Sequence, residues 1–127
     1  MLNIVLYQPQ IPQNTGNIIR LCANSGCNLH LIEPLGFNLT SSKLKRAGLD
    51  YHELTSIKIH KNWIDFLNDL KTNRIFLITT KGNTRYDKVH FNINDVLVFG
   101  SETTGLPLGI LNNNEYKLFL CVKTIVV

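Results

Sequence analysis

A chain of 127 residues has room for one domain and leaves little for a second. An apolar share of 44% speaks against a disordered polypeptide, and no apolar run approaches the roughly 20 residues needed to cross a bilayer. The formal charge of +4 favours a polyanionic partner without identifying one.

The first six residues have no basic segment before them and no small-residue cleavage site behind them, so they read as a strand rather than a signal peptide. Residues 3–7 are nearly all apolar, the pattern of a strand covered on both faces. Pro9 and Pro12 then break the chain. Residues 17–25 form a helix with Ile18, Leu21 and Cys22 on one stripe; Asn14 or Thr15 is its natural N-cap and Gly26 its natural stop. Residues 29–32 are a second strand, closed by Pro34 and Gly36. Residues 41–47 read as a short basic helix ended by Gly48, and 57–59 as a third strand. Trp63, Phe66, Leu67 and Leu70 recur at helical spacing, which predicts a helix over 62–71. Residues 74–79, 95–99 and 118–122 complete the strands. This alternation predicts an α/β fold, a mostly parallel sheet with helices on both sides, as one domain over 1–127.

In open parallel sheets, ligands bind beyond the carboxyl ends of the strands. Three turns fall there: 8–16, 79–82 and 100–107. The last is the most informative, with Glu102 between Gly100 and Gly105, and with Pro107 able to open a helix. It lacks both the dinucleotide G-x-G-x-x-G pattern and the Gly-Lys-Ser/Thr of a P-loop, and spacing alone fits an ordinary strand-to-helix loop equally well. Arg20, on the first helix, is either a surface arginine or a guanidinium fork for phosphate or carboxylate.

Cys22, Cys27 and Cys121 have neither zinc-site spacing nor disulfide density, and read as small apolar residues in a reducing compartment. His30, His52, His60 and His90 are dispersed and have structural or surface roles. Lys43, Lys45 and Arg46 form a compact basic cluster suited to RNA phosphates or to a solvated helix face, and Lys58, His60 and Lys61 follow.

Read together, the turns resemble one family. The stretch from Asn14 to Arg20, NTGNIIR, resembles the first motif of the SPOUT methyltransferases of the tRNA/rRNA 2′-O-ribose branch, and FGSETTGLP at 99–107 resembles their second. Residues 1–23, EPLGF at 33–37, RAGLDYH at 46–52 and TTKG at 79–82 are similar to the branch that methylates cytidine or uridine 34 of tRNA. This likeness runs to about residue 111. It implies an α/β knot, S-adenosylmethionine as methyl donor, a cytoplasmic homodimer, and no metal or membrane. The implied substrate is the wobble ribose of tRNA, leucine tRNAs in particular. It also implies cofactor contacts at Ile78, Gly100 and Leu120, and a catalytic set of Arg20, Asn14 and Glu102. A guanidinium is a poor base, so Arg20 suits charge stabilisation and phosphate holding, with Asn14 and Glu102 shaping its pocket.

The family's third motif, an Ile-Pro-Met-like start followed by an Arg-Ser-x-Asn-x-Ser stretch and a helix, has only its start matched, by residues 117–122 with Cys121 in place of proline. The expectation is a chain shortened at its C-terminus. Two other readings stand beside the enzyme: a degenerate homologue that binds RNA without catalysis, and an unrelated α/β nucleotide-binding module.

Overall fold

The computed structural model describes residues 2–39, 57–70, 74–79, 84–85, 89–112 and 117–120, with backbone alone for 84–85 and 117–120. The expected basic helix at 41–47, with Lys43, Lys45 and Arg46, lies outside the described residues, as do His52, Cys121 and the segments that would decide a knot.

The strands are β1 (Asn3–Tyr7), β2 (Asn28–Ile32), β3 (Lys58–His60), β4 (Ile75–Thr79), β5 (Thr84–Arg85), β6 (Val96–Phe99) and β7 (Lys117–Leu120). They form one sheet in the order β3-β2-β1-β6-β4-β7-β5, parallel at every pairing. Strand β5, two residues long, is too short to leave a sequence signal.

Helix α1 (Pro12–Ser25) covers one face; α2 (Trp63–Asp69) and α3 (Leu108–Leu111) cover the other. Alternate residues of a strand point to opposite faces. In β1, Leu6 therefore joins Ile19, Cys22, Leu29 and Leu31 beneath α1, while Val5 joins Ile32, Phe66, Leu77, Val96 and Val98 beneath α2 and α3. This is why β1 shows no polar alternation.

Helix α1 differs from its sequence reading. It begins at Pro12, and Ile11 occupies the cap position without a side-chain hydrogen bond. Proline at the first helical position gives up only an N–H that has no intrahelical acceptor there. Asn14 and Thr15 therefore lie inside the first turn instead of capping it. The buried stripe is Thr15, Gly16, Ile19 and Cys22, whereas Leu21 is 62% exposed. The stop at Gly26 is as expected, with φ 78° and its N–H donated to the Cys22 carbonyl at 2.9 Å. Helix α2 is capped by Asn62, whose side chain accepts from the Asp65 N–H at 2.8 Å.

Two polar clusters fasten the sheet. The Arg74 guanidinium clasps the buried Asp95 carboxylate through Nε at 3.0 Å and a terminal nitrogen at 2.6 Å, and it lies over the Phe76 ring. Asp95 also accepts the Asn92 N–H at 2.6 Å, so the residues preceding β4 and β6 are tied together. Beneath α2, buried His30 and His60 stack with Nδ1 and Nε2 3.0 Å apart. The Asn3 side-chain oxygen faces His30 Nε2 at 3.2 Å. Because that oxygen only accepts, His30 carries its proton on Nε2 and takes a hydrogen bond from His60 Nε2–H. His60 Nδ1 lies 3.5 Å from the exposed Asp69 carboxylate.

Candidate active site

Strand order reverses between β1 and β6. Chain order runs outward through β1, β2 and β3 on one side, while β6, β4, β7 and β5 fill the other. Such a switch point opens a crevice beyond the strand ends, because the two following loops leave in opposite directions. Here the loops leave β1 at Tyr7 and β6 at Phe99, with Leu6 in register with Phe99.

Glu102 bridges that crevice. One oxygen of its carboxylate, Oε2, accepts the Gln10 N–H at 2.8 Å and the Ile11 N–H at 3.1 Å. These amides lie just before α1, whose positive dipole end favours an anion. The loop after β6, some 90 positions along the chain, thus supplies the acceptor for the two amides that lead into α1.

That loop is tightly folded. Ser101 and Gly105 bridge, with the Gly105 N–H donated to the Ser101 carbonyl at 2.9 Å, and the Ser101 and Thr103 hydroxyls meet at 3.1 Å. A Cβ on Gly100 would lie 2.7 Å from the Gly105 Cα, closer than real contacts allow, so only glycine permits the loop to close here. Helix α3 follows with Pro107 at its N-cap.

Ile78 and Leu120 lie on the adjoining strands β4 and β7, and Gly100 directly follows β6. Ile78 pairs with Phe99, the residue before Gly100, and Thr79 pairs with Leu120. All three therefore lie at the carboxyl edge of β6-β4-β7, and Gly100 offers backbone alone. A ligand held largely by main-chain groups fits such an edge.

The expected catalytic residues are not all brought together. Glu102 sits at the start of α1, and Asn14 is half-buried in its first turn. Arg20 is half-buried and nine residues beyond Ile11, about 13 Å along the helix axis. Six residues also place Arg20 about 120° around the helix from Asn14. Arg20 has no hydrogen-bond or ion-pair partner among the described residues.

Sequence reasoning missed the histidine pair. Burial pushes the His30 imidazole down to about 4, with His60 and Lys58 adding to the effect, and burial likewise lowers His60 against the opposing pull of Asp69. Burial and the nearby Cys27 raise the Cys22 thiol to about 11, in keeping with a small core residue. Among the described residues no group of three or more His, Cys, Asp or Glu could hold a metal ion, and no helix is long and apolar enough to cross a membrane.

The chain matches the SpoU rRNA Methylase family over residues 1–124, beyond the stretch where the motifs carry the likeness. It is 57% identical over 107 residues to a tRNA (cytidine(34)-2′-O)-methyltransferase of Methylovorus glucosotrophus, covering 84% of this chain and 70% of that one. A structure solved for insights into the 2-OH methylation of C/U34 on tRNA superposes with a TM-score of 0.88 at 42% identity, covering 99% of this chain and 83% of that one. An AdoMet-bound rRNA methyltransferase from Sinorhizobium meliloti, 20% identical over 99% of this chain and 50% of its own, shares the fold with a TM-score of 0.77. With its family matched over nearly the whole length and its motif loops meeting at the sheet's switch point, the chain belongs to the SpoU rRNA methylase family.

Proposed function

We propose that this protein is an S-adenosylmethionine-dependent methyltransferase acting on the ribose 2′-hydroxyl of the wobble nucleotide of tRNA, with leucine tRNAs as substrates. The observation that carries the reading is the Glu102 bridge, which fixes the loop bearing Gly100 against the start of the helix bearing Arg20. The 57% identity to a cytidine-34 methyltransferase supports the choice of nucleotide.

When bound, S-adenosylmethionine supplies an electrophilic methyl group. The protein's part is alignment, because a displacement gains most from holding nucleophile and methyl carbon in line. Ile78, Gly100 and Leu120 would hold the donor at the edge of β6-β4-β7. Arg20 donates hydrogen bonds to the substrate phosphate and to the ribose oxygen as negative charge grows on it. Asn14 shapes the pocket. Glu102 acts as a positioning residue, since its carboxylate is already engaged by two backbone amides. Lys43, Lys45 and Arg46 contribute RNA phosphate contacts. A cytoplasmic homodimer completes the reading.

Purified protein incubated with labelled methyl donor and tRNA tests this. Ribose methylation at position 34 is expected. No methylation, with a longer relative active in parallel, overturns it. Salt-sensitive tRNA binding without cofactor binding then identifies the non-catalytic RNA binder.

A further inference from the structure

The EPLGF stretch is one of the segments that carry the sequence likeness, yet the reaction uses none of it. It forms one wall of an open concavity of roughly 580 Å³ at the carboxyl end of β2 and β3, bounded by Glu33, Leu35, Phe37 and Ile59 among others. We propose that this concavity receives an unpaired, amino-bearing nucleobase of the RNA substrate, from a nucleotide near the one that is methylated. The proposal rests on the function proposed above and extends it to RNA recognition.

The wall is coupled to the reaction site. The Gly36 N–H donates to the Pro9 carbonyl at 2.9 Å, and a Cβ on Gly36 would lie 2.7 Å from the Gln10 Cα. Gln10 is one of the two residues that Glu102 holds. The loop lining the concavity therefore packs on the segment that the Gly100–Gly105 loop also grips.

The lining chemistry selects a base rather than a phosphate. No lysine or arginine is among the described lining residues. Phe37 offers an aromatic face without a ring partner among the described residues, and base–aromatic stacking is the usual way a protein holds an unpaired base. Leu35 packs on the α1-side core and Ile59 is 46% exposed, giving an apolar floor and flank. The exposed Glu33 carboxylate makes no side-chain contact among the described residues and can only accept. It would repel a phosphate, but it accepts well from the exocyclic amine of cytosine or adenine. Uracil has no such amine.

Distance separates this base from the target nucleotide. From β2 to β4, at the middle of the cofactor edge, are three strand spacings, about 14 Å. At about 3.4 Å per stacked nucleotide, that is roughly four steps along a strand. The base therefore belongs to a neighbour.

Nucleotide titrations of the full chain, followed by amide NMR, test the site without depending on methylation. CMP and AMP are expected to move the Gly36, Phe37 and Ile59 amides, UMP to bind at least threefold more weakly, and ribose 5-phosphate to leave them unmoved. Glu33→Ala should abolish the preference over UMP. Phe37→Leu, which keeps the apolar volume, should weaken CMP and AMP at least fivefold. Flat titrations, equal shifts from ribose 5-phosphate, or variants that bind as wild type overturn the proposal, and intact position-34 methylation then leaves the function standing. Base-dependent shifts at these amides in a protein that methylates no tRNA support the pocket and reject the assigned reaction instead.

Discussion

Replacing Glu102 with alanine removes the shared acceptor of two amides. Hydrogen bonds to a charged group contribute about 1.5–3 kcal/mol each, but water can replace part of that at Ile11, which is 40% exposed. A net loss of about 2 kcal/mol is therefore expected for the latch between the two loops. At about 1.4 kcal/mol per tenfold, this shifts the latched fraction up to about thirtyfold, so kcat falls by as much with a smaller change in KM. Glu102→Gln keeps a neutral acceptor at the same place. Neutral hydrogen bonds are about half as strong, so roughly 1 kcal/mol is lost and kcat falls about fivefold. Single-turnover methylation with saturating donor, alongside thermal unfolding, reads both effects. A glutamine variant as crippled as the alanine variant would mean that the charge itself takes part in the reaction. An alanine variant with wild-type kcat would mean that the bridge positions nothing.

Stability should fall on acidification below pH 6.5. His30 is lowered from its ordinary 6.5 to about 4, so the unfolded chain binds the extra proton between those values; at about 1.4 kcal/mol per pH unit, roughly 3 kcal/mol is present above pH 6.5 and lost by pH 4, and urea midpoints flat across that range would contradict it. Asp95→Asn uncouples the buried carboxylate from Arg74 and should cost about 2–3 kcal/mol, less than a fully buried pair because Arg74 is 39% exposed; an unchanged denaturant midpoint argues against the clasp. Phe66→Ala empties a site that is 1% exposed and bordered by the His30, His60 and Trp63 rings, and should cost about 3–5 kcal/mol by the same measurement. Arg20→Lys keeps the charge but loses the planar fork, so methylation should fall about a hundredfold while calorimetric affinity for the methyl donor holds; equal activity would deny Arg20 its role.

The strands were legible because burial on both faces leaves a local mark: apolar runs such as 3–7 and 75–79 need no partner to be recognised. Gly26 and Pro107 announced their helix boundaries for equally local reasons. What stayed hidden depends on residues far apart in the chain. Pro12 reads as a breaker because nothing local shows that Glu102, some 90 positions away, accepts the amides that lead into α1. His30 and His60 look unrelated until the parallel pairing of β2 and β3 brings them to one face, since Ile32 rather than His30 is the register partner of His60.

The same contrast bears on the site. The motif loops could be found by their residues, but only the strand order reveals that the loops after β1 and β6 are neighbours, and that Arg20 lies about 13 Å down the helix from the residues Glu102 holds. An arginine side chain leans toward its helix N-terminus and covers part of that distance, not all of it. Within one chain, Arg20 therefore stands apart from the segment Glu102 grips, which suits a bulky polyanion spanning the two better than a small substrate enclosed by both. Ribose-sized alcohols should consequently be inert at concentrations where tRNA is turned over, and efficient methylation of a free nucleoside would require a more closed arrangement than this helix allows.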